Sequence, residues 1–162
     1  MAFAVLGLPI FLAIGFFSII FIVCFAIIKF ILYIFQSFGL LNISKHEQYK
    51  YPYIAWIPCA SHYVLGKFCM GNKEGIIYGL LTLVKLILII SVILVENTIL
   101  FHIFLVYIIA YFVIDMLIMN KFYEKVYKNP QIFTIFTIIT FGLLKPIFIY
   151  TVKIKKISLI KV

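Results

Sequence analysis

Apolar residues run through this chain in long unbroken blocks with short polar interruptions, the pattern of helices that cross a bilayer. The blocks Ile76–Val95 and Ile99–Met119 are each close to the ~20 residues a helix needs to traverse a hydrocarbon core of roughly 30 Å. Only Glu96-Asn97-Thr98 separates them, so they predict an antiparallel transmembrane hairpin. Upstream, Val5–Ile28 predicts a first span, with Pro9 near its start, where a missing backbone donor costs little. This block lacks the lysine-bearing opening and short apolar core of a secretory signal, and is expected to be retained. Apolar character continues past Lys29 to Ile43, with Lys29, Tyr33, Gln36 and Ser37 on one helical face. Either the first helix runs on as a long rod or a second segment bends to lie in the interface. The expectation is continuation, with partial emergence from the membrane near Gln36.

The stretch Ser44–Gly75 is the one long connection with polar content. Within it, Pro58 suits the first turn of a helix and Gly71-Asn72 its end, so a short helix over about Pro58–Met70 is predicted. Carrying His62 and Lys67, it is too short and too polar to span, and belongs at the surface or in a re-entrant position. Tyr49, Tyr51, Tyr53, Trp56 and Tyr63 are assigned to the membrane interface, where a ring sits half in lipid and half in water. After Asn120–Pro130, the run Gln131–Leu144 meets Lys145-Pro146, and Ile147–Val152 leads into the tail 153–162. A proline inside a helix removes a donor and clashes with the preceding turn, so the break is expected at Lys145-Pro146. The expected fold is therefore an all-α, polytopic transmembrane bundle in one membrane domain over 1–162. Its spans lie at about 5–28, 76–95 and 99–119, with a fourth, broken or re-entrant span at 131–152 and one short interfacial helix.

Charge decides the orientation and raises a conflict. The 14 basic residues, all lysines, outweigh 5 acidic ones, and lysines flanking spans favour the cytoplasmic side. Four lie in Ser44–Gly75 and three in Asn120–Pro130, while the first span's start and the hairpin tip have none. This places both lysine-bearing connections inside. A fully spanning 131–152 would then put the tail lysines outside, against the rule; a re-entrant segment would bring them back. A plain fourth span is the favoured expectation by length, with the re-entrant form close behind. Lys153, Lys155, Lys156 and Lys161 are assigned to anionic lipid headgroups, each lysine near such a surface contributing about 1 kcal/mol.

Composition confirms the class and removes several functions. The chain is 66% hydrophobic and 12% charged, against roughly 45–50% and 25% in soluble domains. Continuous rather than alternating apolar runs argue against a β-barrel. The basic charge is spread over membrane flanks instead of a groove-sized face, which argues against nucleic-acid binding. The lysine-, isoleucine- and phenylalanine-rich composition matches an AT-biased codon usage, so abundance of aromatic residues is discounted as a signal.

Three residues carry the candidate chemistry. Lys85 near the middle of its span costs ~2.5–3.5 kcal/mol on insertion scales, and such residues face a partner or a bundle interior. Asp115 has the sign to pair with it across the hairpin, at an offset of ~7.5 Å of helix rise; Lys145 is the rival partner. The pairing is either a structural register or the mark of an ion, proton or ligand site. A transporter would also show discontinuous helices and several polar residues at mid-depth. Cys24 reads as a small buried hydrophobe. Cys59, His62 and Cys69 share a helical face, but the cysteines stand ~15 Å apart along it, too far for one metal ion. No metal, cofactor or catalytic residue is assigned, because the protease, hydrolase, phosphate-loop and redox motifs are all missing from the sequence.

The stretch Tyr53-Ile54-Ala55-Trp56-Ile57-Pro58, with Tyr63-Val64-Leu65-Gly66-Lys67 after it, resembles small uncharacterised bacterial multi-spanning membrane proteins that carry a Trp-x-Pro interfacial stretch. The resemblance implies a bacterial membrane protein and transfers no functional residue; the cytoplasmic membrane is the expected location. The leading functional expectation is a non-enzymatic accessory, immunity-type or partner-binding module in the bilayer. Its partner would be another membrane protein or a second copy, approached through Gly7 and Gly15. The alternative is a small permeation device, a holin-like pore or a carrier, using the intramembrane charges. A lipid-acting enzyme is a weaker third reading.

Overall fold

The computed structural model describes residues 2–95 and 97–152, with side-chain surroundings from Gly15 onward apart from residue 96. The described residues are helical and contain no strand. The elements are α1 (Ala2–His46), a 3-10 turn (Pro52–Trp56), α2 (Pro58–Cys69), α3 (Asn72–Val95), α4 (Thr98–Val126), α5 (Pro130–Ile139) and α6 (Lys145–Tyr150). Among the described residues three helices are long and apolar enough to cross a membrane: α1 over Gly15–His46, α3 and α4. The chain is a multi-pass membrane protein. It divides into two compact units, Met1–Ile34 and Phe35–Val162.

The first unit is a stretch of α1 alone. α1 is continuous from Ala2, which puts Pro9 past its first turn rather than at the start of the helix. From Gly15 to Ile31 every side chain is exposed, Cys24 included, so the expected burial of that thiol is not found.

The second unit holds the core. The expected continuation of α1 is observed, but Gln36 and Ser37 do not mark emergence into water: both are buried, with Leu40, Ile43 and Ser44, inside this unit. α2 begins with Pro58 in its first turn, as predicted, and ends at Cys69. Gly71 then takes φ +128°, a conformation that favours glycine, and α3 opens at Asn72. α2 lies back along α3 in closest contact at glycines. A Cβ at Gly66 would stand 2.9 Å from the Gly75 Cα, and one at Gly75 would stand 2.7 Å from the Lys67 nitrogen. The Lys125 Nζ donates to the Phe68 carbonyl at 2.7 Å and so satisfies one of the last acceptors of α2. The hairpin tip is closed by Asn97, whose side-chain oxygen accepts from the backbone N–H of Ile99 (2.8 Å) and Leu100 (3.3 Å).

The segment after α4 takes the re-entrant form. α5 climbs α4 in the opposite direction: Phe133 stacks on Tyr127 at 4.0 Å, Thr137 bonds the Tyr123 hydroxyl at 2.6 Å, and Phe141 reaches Phe112. α6 then descends, from Lys145 at Asp115 to Phe148, whose carbonyl accepts from the Tyr127 hydroxyl at 2.8 Å. Thr151 reaches the same hydroxyl at 3.0 Å. The chain therefore returns to the lysine-rich end it left at Pro130. Among the described residues the segment does not continue as a single span.

The break is also displaced from where the sequence reading put it. α5 ends at Ile139, Phe141 and Gly142 turn the chain at φ 48° and 78°, and Pro146 sits in the first turn of α6, where it costs nothing. Thr134, Thr137 and Thr140 return their hydroxyls to carbonyls one turn back, so the apolar hairpin carries its polar groups satisfied. The tail assignments Lys153, Lys155, Lys156 and Lys161 lie outside the described residues.

This topology makes a direct prediction. In a variant lacking the native cysteines, a cysteine at Thr151 is labelled by an impermeant thiol reagent from the same side as one at Lys128, and a cysteine at Asn97 from the opposite side. Labelling of Thr151→Cys from the same side as Asn97→Cys would refute the re-entrant path. Removing Cys69 is a precaution only: burial pushes its thiol up to about 12 and leaves it unreactive at neutral pH.

Candidate functional site: a charge pair between two inward excursions

Asp115 sits six residues before Lys121 on α4, about 9 Å of helix rise inside the first lysine of that end. Its carboxylate is paired with the Lys145 ammonium, and the Tyr78 hydroxyl donates to the same oxygen. The Lys145 Nζ also donates to the Tyr78 oxygen at 3.2 Å. Both members are buried, with 13% of the Asp115 side chain and 7% of the Lys145 side chain exposed. A buried ion pair is tolerated only when its lone pairs and protons find partners. Tyr78 supplies that closure from α3.

The rival partner named from the sequence thus holds Asp115, while Lys85 takes a different place. Its ammonium lies 4.1 Å from the centre of the Tyr111 ring, a cation–π contact within the same cluster. Thr82, one turn before Lys85, shares a hydrogen bond of 3.0 Å with the Tyr111 hydroxyl. One turn further along α4, the Tyr107 hydroxyl donates to the Leu81 carbonyl at 2.5 Å. Tyr107, Tyr111 and Asp115 repeat every four residues and face Tyr78, Leu81, Thr82 and Lys85 on α3. The seam between the two spans is polar along much of its length.

From α2, His62 meets the Tyr78 ring edge-on at 5.1 Å and lies 6.4 Å from Tyr111, with its Nδ1 3.0 Å from the Pro58 carbonyl. The first turns of α2 and the first residue of α6 therefore both arrive at Tyr78. Two segments enter from the lysine-rich end, each turning back as a helix that starts with proline in its first turn. Lys145 reaches Asp115 and the Tyr78 hydroxyl, and His62 reaches the Tyr78 and Tyr111 rings.

The remaining assignments fall as follows. Tyr51, Tyr53 and Trp56 are exposed, and Tyr49 and Tyr63 pack partly against the core. Lys67 lies 4.2 Å from the Tyr49 ring and Lys45 5.7 Å from that of Tyr53. Burial, with Glu47 nearby, pushes the Tyr49 phenol up to about 12. Gly15 is exposed, with nothing within 4 Å of a Cβ placed there among the described residues, while the surroundings of Gly7 lie outside them. Among the described residues no group of three His, Cys, Asp or Glu side chains is placed to hold a metal.

Sequence reasoning missed Tyr78, Thr82, Tyr107 and Tyr111. The signal was there in the four-residue repeat Tyr107-Tyr111-Asp115, which aligns hydroxyls with a carboxylate on one face. Discounting tyrosine as a codon effect hid it. No protein-family model matches this chain, and no curated protein or solved structure matches it either.

Proposed function

We propose that this chain is a non-enzymatic, carrier-type protein of the bacterial cytoplasmic membrane, working at the Asp115–Lys145 pair. The observation that supports this reading is the meeting of two inward-turning segments at a buried charge pair among mid-depth hydroxyls. Helices interrupted within the membrane and polar groups at that depth are what small-solute and ion carriers use. A purely structural clasp needs the charge pair but not a polar seam continuing past it to Tyr107. The test is charge movement in vesicles containing the purified protein, recorded while pH, Na⁺, K⁺ and small organic solutes are stepped. A current that is lost on Lys145→Met is the expected result. Silence of the native protein under every step, with no leakage of trapped dye, would remove the reading.

A second reading, partner binding in the bilayer, draws on the exposed stretch Gly15–Ile31. Small side chains there allow close helix approach. Cross-linking in mild detergent that yields only the monomer would count against it.

A further inference from the structure

We infer that the species handled at Asp115 is the proton, and that a chain of polar groups carries it to and from that carboxylate. This rests on the carrier reading and names its substrate. The place a metal cation would occupy beside Asp115 is filled by an ammonium covalently tethered on α6, with Tyr78 closing the same oxygen. A sodium or potassium ion would have to displace a side chain that the α5–α6 hairpin holds in place. A proton needs no such room. It joins the Asp115 carboxylate while Lys145 stays an ammonium, so the pair passes from net charge zero to plus one, and it returns to zero when that proton leaves.

Polar groups lie on both sides of the pair. Towards the lysine-rich end, the Gln36 Nε2, Ser37 Oγ and Ser44 Oγ on α1 are buried without a hydrogen-bond partner among the described residues. All three residues are more than nine-tenths buried. Buried polar atoms of this kind are served by ordered water, which conducts protons. Gln36 lies within one turn of Gly39, whose backbone abuts Ile149, itself one turn beyond Lys145. Ser44 lies two turns nearer the lysine-rich end, where the Tyr49 N–H bonds its carbonyl. Towards the hairpin tip, Tyr78 stacks on Tyr111 at 6.0 Å, and Tyr111 bonds Thr82. Tyr107 follows, stacked on Tyr111 at 6.4 Å. A hydroxyl is able both to donate and to accept, as a proton relay requires, and at the end of this row the Tyr107 hydroxyl donates to the Leu81 carbonyl. The ionisable groups facing Asp115 are Lys145 from α6, Tyr78 from α3, His62 from α2 and Tyr111 from α4, with Lys85 behind the Tyr111 ring.

The experiment uses full-length protein in vesicles of phosphatidylethanolamine and phosphatidylglycerol with a trapped pH dye, in choline medium free of Na⁺ and K⁺. An inward proton gradient is applied. Native protein is expected to speed acidification over empty vesicles, and Asp115→Asn to slow it by at least about tenfold, as when a group that takes and gives the proton is lost. Tyr111→Phe keeps the ring stack and removes only the hydroxyl. It is expected to slow the flux as well, and it decides the matter if Asp115→Asn does not accumulate. Unchanged flux in a folded Asp115→Asn or Tyr111→Phe overturns the inference. Acidification no faster than in empty vesicles, with currents that persist under Na⁺, K⁺ or solute steps, overturns the proton while leaving the carrier reading standing. Silence in both assays removes both.

Discussion

Asp115→Ala is expected to destabilise the folded protein by about 3–5 kcal/mol, the cost of leaving a buried charge without its counter-charge. The Lys145 ammonium keeps only 7% of its side chain exposed, so it cannot recover hydration without pulling α6 out of place. Tyr78 loses its acceptor at the same time, adding about 1–3 kcal/mol if that hydroxyl finds no substitute. Lys145→Ala should be nearly as costly, because it strands the carboxylate instead. Replacing both at once, by Asp115→Leu with Lys145→Met, is expected to restore most of the loss, since the desolvation of two ions disappears with the pair. The measurement is unfolding by a denaturing detergent in mixed micelles, followed through the fluorescence of the single tryptophan, Trp56. Single variants that lie within about 1 kcal/mol of the native protein would show the pair to behave like a solvated one. The picture of a closed intramembrane cluster would then be wrong.

Gly75→Ala should cost about 2–3 kcal/mol, at the upper end of what overpacking inflicts on a tight contact. A Cβ there would meet the Lys67 nitrogen at 2.7 Å and the Tyr63 carbonyl oxygen at 2.8 Å, both backbone atoms that cannot rotate away. The contact must also overcome the gain of about 1 kcal/mol that alanine brings to a helix interior over glycine. Gly39→Ala presents the same situation against α6, with the Ile149 carbonyl oxygen at 2.6 Å. Its expected signature is a loosened re-entrant hairpin as well as lower stability. Gly15→Ala is the control. Among the described residues nothing lies within 4 Å of its new methyl, so the helix-propensity gain remains and stability should rise or stay level. A destabilised Gly15→Ala beside an unaffected Gly75→Ala would contradict the packing described between α2 and α3.

These two tests probe features of different legibility. The glycine at 66 is visible in the sequence only as a small residue on a predicted helix, and the one at 75 only as the last residue of the connection before the span at 76–95. Nothing local tells that the helices touch there. Lys85, Asp115 and Lys145 all stand out in the sequence, and the first two lie on the helices expected for them, yet Lys145, expected at a helix break, opens α6 and takes the pairing with Asp115. The reason is geometric. Lys85 and Asp115 share a hairpin whose register is countable from its turn, whereas Lys145 reaches Asp115 only because the chain reverses between Ile139 and Lys145. That reversal depends on Phe141 and Gly142 adopting positive φ, and on Tyr127 and Tyr123 anchoring both limbs of the excursion.

By itself the sequence determined the all-helical membrane class, the hairpin of α3 and α4, the unbroken run of α1 and the short helix opening at Pro58. Each of these follows from side chains acting locally, through the transfer of apolar residues out of water and the start and stop preferences of helices. Only the tertiary structure decided that the last segment turns back, that Gln36 and Ser37 are buried in protein, and that Lys145 closes on Asp115. Those outcomes depend on which surfaces meet after the chain has reversed, a free energy shared among residues far apart in sequence and invisible to any window along it.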